Sequence, residues 1–147
     1  MFKRILIPTD GSAVANKAVK AGIRFAREVG AKVVGYYAIE RIQSYDYGGG
    51  MIVDGRVIAE LDRQSKATAE KTLAAMAKLV KIGRVRFESL CDTPGSAYGG
   101  IIAAARRKKC DVIFMASHGR SGFAKLVLGS VTQKVLAHSK IPVLVYR

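Results

Sequence analysis

Short apolar runs alternate with amphipathic stretches along the whole chain, and that alternation limits the possible folds more than any other feature. Phe2–Ile7, Lys32–Ile39, Arg84–Leu90, Asp111–Ala116 and Val143–Tyr146 have the length and residue types of strands. Asp111–Ala116 is almost continuously apolar, as a central parallel strand covered on both faces must be. Between the first two runs, Ser12–Val29 places Ala15, Ala18, Val19, Gly22, Ile23 and Ala26 on one helical face. Lys17, Lys20, Arg24 and Arg27 take the opposite face. Gly55–Lys81 predicts a second helix with Ile58, Leu61, Ser65, Thr68, Ala69, Thr72, Leu73, Met76 and Leu79-Val80 on its buried stripe and Gly83 as its cap. Thr93-Pro94 reads as the start of a third helix, Thr93 capping and Pro94 in the first turn. Ala97, Tyr98, Ile101, Ile102 and Ala105 carry it inward, and Arg106–Lys109 closes it. Ser130–Ser139 is the fourth helix.

The expected architecture is α/β: an open, mostly parallel five-stranded sheet with helices on both faces, in one domain spanning residues 1–147. Right-handed crossovers leave few topologies, and the strand order 3-2-1-4-5 is the one expected. Half of the 147 residues are hydrophobic, enough for a core and too many for a disordered chain. No apolar run is long enough to span a bilayer and the N-terminus does not read as a signal peptide, so the expected location is cytoplasmic and no membrane contact is expected. Cys91 and Cys110 lack the spacing of a zinc site or a disulfide framework. Glu40–Asp54, with Tyr45, Tyr47 and Gly48-Gly49-Gly50, reads as a mobile loop.

Lys and Arg number 25 against 11 Asp and Glu, a net charge of +14. Such a field attracts polyanions. Either it does so here, or a scattered basic surface only keeps the chain soluble. From Val112 onward, five basic residues, Arg120, Lys125, Lys134, Lys140 and Arg147, face no acidic one.

In an open α/β sheet of this order, a ligand crevice lies past the carboxyl ends of strands one and four, where the winding reverses. Pro8-Thr9-Asp10-Gly11-Ser12 follows the first of these strands, and Ala116–Gly122 follows the second. The second loop leads to Gly129-Ser130 at a helix start, a place suited to phosphate. Two readings stay open there. The glycines and helix start hold an anion, or Ser130 and Gln133 form a capping box and the glycines only turn the chain. Neither a P-loop nor a dinucleotide-binding fingerprint is present.

These segments resemble the universal stress protein family along essentially the whole chain. The resemblance rests on Ile5-Leu6-Ile7-Pro8-Thr9-Asp10-Gly11-Ser12, Ser117-His118-Gly119-Arg120-Ser121-Gly122, Leu128-Gly129-Ser130-Val131-Thr132 and Ile141-Pro142-Val143-Leu144-Val145. It implies a Rossmann-like fold of the adenine nucleotide alpha hydrolase type, and a cytoplasmic stress-response module that binds ATP. The family's ATP-binding branch carries G-x-x-G, nine residues, then G-[ST]. Here Ala116 stands in place of the first glycine, while Gly119, Gly129 and Ser130 match. If that position needs positive φ, the alanine weakens binding; if it needs only a small residue, little changes.

Carried over, Asp10 reaches the ribose or a magnesium ion brought by ATP. Pro8, Thr9 and the backbone around Ala38 line the adenine. Met115, Ala116 and Gly119 flank ribose and phosphates, with His118, Arg120 and Gly122 in the same loop. Gly129, Ser130, Val131 and Thr132 meet the phosphates. The resemblance also implies a homodimer through Val143–Tyr146, consistent with an edge strand entered by Pro142. His118 and His138 have no metal-ligand partner at helical spacing, and no nucleophilic triad is evident. No water activator or arginine finger is evident, so enzymatic activity is expected to be at most slow ATP hydrolysis. Nucleic-acid binding is expected to be at most weak and non-specific. The alternative to a nucleotide-binding module is a nucleotide-free stress protein acting through protein or nucleic-acid contacts.

Overall fold

The computed structural model describes residues 1–41, 54–119 and 128–147. The element order is β1 (Arg4–Pro8), α1 (Ala13–Val29), β2 (Lys32–Ala38), α2 (Gly55–Ile82), β3 (Phe87–Asp92), α3 (Ala97–Arg107), β4 (Val112–Ala116), α4 (Ser130–His138) and β5 (Val143–Tyr146). The five strands form one parallel sheet in the order β3-β2-β1-β4-β5, as the alternation of the sequence predicts. β5 lies at the edge beside β4, with Ile113 opposite Val143.

β1 divides the core. Ile5, Leu6 and Ile7 are all fully buried. Ile5 and Ile7 face a layer built from α1 and α2, with Ala18, Val19, Ile23, Met76 and Val80. Leu6 faces the opposite layer, with Ile101, Ala104 and Ala105 of α3 and Val135 of α4. Full burial of each such aliphatic side chain is worth about 1.5–3 kcal/mol. The six α1 positions expected to face inward are all buried. α1 lies so close to the sheet that a Cβ on Gly22 would come within 2.7 Å of the Ile7 side chain.

Several boundaries differ from the sequence reading. The third helix begins at Ala97, because Ser96 and not Thr93 caps it: the Ser96 hydroxyl accepts from Gly99 N at 3.3 Å. Thr93-Pro94 instead precedes the helix, and Pro94 lies against Gly100 in its second turn. α4 is capped by extended Gly129, and no side-chain cap bond is made. The Ser130–Gln133 capping box is therefore absent, since the Gln133 amide reaches back to Leu128 O at 2.7 Å. The buried stripe of α2 is confined to Ala69, Leu73, Met76 and Val80, while Leu61 and Thr68 are exposed. The sheet is not long enough to cover the first half of a 28-residue helix. β3 starts at Phe87 rather than Arg84 because Arg84 and Val85 are still bonded to Lys81 and Val80 at the end of α2.

Three helix ends share one closure. The residue after the last turn turns left-handed, and the next N–H bonds back across the turn. Gly30 does this after α1 (φ 71), Arg84 after α2 (φ 56) and Lys109 after α3 (φ 51). Gly83 is thus a cap of ordinary φ, and its lack of a side chain answers the approach of Ile23 at 3.0 Å. Two of the three left-handed positions carry a Cβ where glycine would relieve strain.

The reading of Glu40–Asp54 as a loop falls mostly outside the described residues, as do Arg120 and Gly122. No helix among the described residues is long and apolar enough to cross a membrane. Lys109→Gly should raise stability in urea by about 1 kcal/mol, the strain of a left-handed side-chain-bearing residue. An unchanged or lowered midpoint would contradict the strained closure.

Candidate functional site

The loop after β1 is fixed by its own short polar side chains. Thr9 N donates to Tyr36 O at 2.9 Å, carrying the β1–β2 ladder one step past the strand. The Thr9 hydroxyl accepts from Gly11 N at 3.1 Å, and Asp10 Oδ1 accepts from Ser12 N at 2.9 Å. Gly11 takes φ 77, a left-handed turn that suits glycine. Ser12 then caps α1 through Ala15 N.

The loop after β4 is clamped onto α4. The Thr132 hydroxyl, buried, donates to Ala116 O at 3.0 Å. Buried Ser117 accepts from Gly129 N at 2.8 Å and donates its own N–H to Tyr146 O at 2.8 Å. The Ser117 hydroxyl also pairs with His118 Nδ1 at 2.9 Å. Gly129 is pressed so close that a Cβ there would lie 3.0 Å from His118 Cα. The two loops meet at Gly119, where a Cβ would lie 2.6 Å from Asp10 Oδ2.

A cavity of about 460 Å³ opens over this junction. Pro8, Thr9 and Asp10 reach it from β1, Ala38 from β2, and Met115, Ala116, His118 and Gly119 from β4 and its loop. Gly129, Ser130, Val131 and Thr132 bring the start of α4 to the same cavity. Arg120 and Gly122 lie outside the described residues. The first turn of α4 has no acidic residue and no side-chain cap, so its N–H groups present a positive dipole end toward the cavity.

Ala116 belongs to β4, opposite Tyr146, and only Arg84 and Lys109 among described non-glycine residues have positive φ. The backbone at this position is extended and does not require glycine.

The far end of the cavity contains residues that sequence reasoning missed. Tyr36 and Tyr37 come from β2 with Ile39 directly after it, Ala97 and Ile101 from α3, and Leu61, Gln64, Ser65 and Thr68 from α2. The signal for the α2 residues was the presence of Ser65 and Thr68 on a stripe read as core. The Tyr36 hydroxyl donates to Asp92 Oδ1 at 2.7 Å, and Arg107 donates to Asp92 Oδ2 at 2.7 Å. Burial first, and the bond to Asp92 second, push the Tyr36 hydroxyl far above its ordinary pKa. It therefore stays a neutral donor. A Cβ on Gly100 would collide with this hydroxyl and with Pro94.

Among the described residues, no group of three or more His, Cys, Asp or Glu could hold a metal ion unaided. Asp10 is the acidic side chain beside the α4 terminus, and Glu40 is the other one in the lining. Both cysteines are free thiols. Burial pushes the Cys110 thiol up to about 11, which keeps it unreactive at neutral pH.

The universal stress protein family model matches residues 1–147. The chain belongs to that family. A universal stress protein of Thermus aquaticus is 35% identical over 147 residues, covering all of both chains. The protein MJ0531 of Methanocaldococcus jannaschii is 32% identical over 149 residues, covering all of this chain and 83% of its own. Among solved structures, MJ0577 of the same archaeon superposes with TM-score 0.80 at 26% identity, over 99% of this chain and 95% of that one. Two more distant members share the fold. One is a universal stress protein in complex with cAMP, with TM-score 0.72 and 23% identity over 99% of this chain and 97% of that one. The other is the Archaeoglobus fulgidus protein in complex with dAMP, with TM-score 0.64 and 18% identity over 100% of this chain and 98% of that one.

Because Gly129 touches the His118 backbone, Gly129→Ala should lower stability by about 1–3 kcal/mol, the cost of overpacking a tight contact. Chemical denaturation measures it. An unchanged midpoint would show that α4 can retreat from the β4 loop.

Proposed function

We propose that this universal stress protein binds an adenine nucleotide, ATP together with magnesium, and acts as a nucleotide-responsive regulatory module. The single observation that carries this reading is the convergence of the α4 N-terminus, Asp10 and Gly119 on one cavity at the β1/β4 switch point. The complexes of family members with cAMP and dAMP support the choice of an adenine nucleotide.

The phosphates would lie against the N–H groups of Ser130, Val131 and Thr132, where the helix dipole favours anions. The base would lie along Pro8, Thr9 and Ala38, and Ala116 and Met115 would flank the sugar. Magnesium would supply charge neutralisation with Asp10 as its protein carboxylate, the remaining positions filled by phosphate and water. No lysine or arginine is among the described lining residues. A binding role with at most slow hydrolysis fits that lining, since fast phosphoryl transfer relies on positioned cations. The extended backbone at Ala116 weighs against the nucleotide-free alternative.

The same reading includes a homodimer in which the exposed edge of β5 pairs with a second copy about a two-fold axis. Light scattering should give a dimer for the wild type and a monomer for Val145→Pro, whose N–H points away from β4 and is the donor a second copy would use. A wild-type monomer at micromolar concentration would end this part of the proposal.

Ser130→Pro tests the phosphate contact. Proline is well tolerated at the first position of a helix, and Gly129 before it is already extended (φ −60, ψ 150). The substitution removes one N–H while leaving the helix intact. Titration calorimetry should show MgATP affinity falling about tenfold or more, the worth of one hydrogen bond to a charged group. Ser130→Ala should lose less. Equal affinity for wild type and Ser130→Pro, with unchanged thermal stability, would place the phosphates elsewhere.

A further inference from the structure

The opposite end of the sheet, where the strands begin, has a second concavity of about 340 Å³ lined by Lys3, Arg4, Lys32, Arg86, Lys109 and Asp111. Five cations therefore surround one carboxylate. The register explains their convergence. Arg4 is the partner of Lys32 across β1 and β2, and Val33 N bonds to Arg86 O at 2.8 Å across β2 and β3. Asp111 N bonds to Arg4 O at 2.9 Å, which brings the segment after α3 alongside. With neighbouring strands roughly 4.8 Å apart, three strand starts set a row of cations about 10 Å long.

The one carboxylate is already engaged. Asp111 accepts from Lys3 N at 2.8 Å and from Arg4 N at 3.2 Å. Arg4 donates to Lys108 O at 2.6 Å, and Lys32 pairs with Glu88, which Lys108 also reaches at 2.8 Å. Lys3, Arg86 and Lys109 are exposed and have no ion-pair partner among the described residues. Cations at a helix C-terminus commonly answer the helix dipole. That accounts for Lys109 and, through its bond to Lys108 O at the end of α3, for Arg4, but Lys3, Lys32 and Arg86 precede or begin strands and have no such role. Lys109 moreover holds its charge at φ 51, where glycine would be less strained. Among the described residues the pocket wall contains no aromatic side chain.

We propose that this pocket is an anion site for an oligophosphate, a run of linked phosphoryl groups read by charge alone, separate from the nucleotide cavity at the other end of the sheet. The row of ammonium and guanidinium groups meets successive phosphoryl oxygens. The small concavity, three strand starts wide, favours a compact phosphate chain over a nucleic-acid backbone, whose sugars and bases would need more room.

The test is calorimetric titration of the whole chain with inorganic tripolyphosphate. The triple variant Lys3→Gln, Arg86→Gln, Lys109→Gln should lose affinity by about tenfold or more, as charge-assisted phosphate contacts are removed. A control with the same charge change on exposed positions of α2, Lys66→Gln, Lys71→Gln, Lys78→Gln, should stay within about threefold, since exposed distant charges are largely screened. Lys109→Gly separates binding from folding: its thermal midpoint should rise while its affinity falls. With the nucleotide cavity saturated by MgATP, the tripolyphosphate binding that the pocket variant removes should persist, and Ser130→Pro should leave that pocket-dependent binding unchanged, so that failure here and failure of the nucleotide reading are told apart. Equal losses in both triple variants would reduce the effect to net charge and overturn the site. Loss in Ser130→Pro instead of the pocket variant would overturn it too. So would duplex DNA binding at least as tightly per phosphate and being released by the same pocket variant, because the partner would then be nucleic acid.

Discussion

The burial of Ile5, Leu6 and Ile7 between two helical layers is the constraint on which the rest of the molecule depends. Alternate side chains of this one strand feed both cores, so β1 must sit inside the sheet with helices on each side. Once it does, right-handed crossovers carry β2 and β3 to one side and β4 and β5 to the other. The winding reverses between β1 and β4. The loops leaving those two strands then face each other with no crossover between them, and Asp10 comes against Gly119. The cavity is a consequence of the sheet order, and its chemistry is what the two loops and the start of α4 supply.

Charge is divided along the strand direction. At the carboxyl end of the sheet, the described cavity lining contains no lysine or arginine, and its electropositive feature is the dipole end of α4. At the amino end, the helix carbonyls converge and five cations gather. Beside them, hydrogen bonds from Lys108 first and Lys32 second hold the Glu88 carboxyl down to about 2. Most of the excess charge is thus not required by a nucleotide site, and part of it forms a feature of its own.

Most of the fold is visible in the sequence because it depends on periodicity. Asp111–Ala116 reads as a central strand since parallel strands are apolar on both faces, and α1 reads correctly since its six inward residues repeat at helical spacing. Helix ends were less legible, because they depend on which of several capable residues wins. Ser96 outcompetes Thr93, and Arg84 takes the left-handed position next to a glycine. The first half of α2 misled for another reason. Its stripe has core periodicity, but the sheet beneath it ends, and Leu61, Ser65 and Thr68 border a cavity instead. Residues close to the strand ends and the α4 start were findable from motif and topology. Tyr36 and Gln64 were not, because only the packing of β2, α2 and α3 brings them to the same space.

The proposed nucleotide has its phosphates at the start of α4 and its base toward β2. A ¹H–¹⁵N correlation spectrum of the labelled chain titrated with MgATP tests this placement most directly. The amides of Ser130, Val131 and Thr132 should shift together with those of Thr9, Asp10, Gly119 and Ala38, and AMP, lacking the β- and γ-phosphates, should shift the α4 amides less. Perturbation confined to Lys3, Lys32, Arg86 and Lys109 at the other end of the sheet, with the α4 amides unmoved, would contradict it.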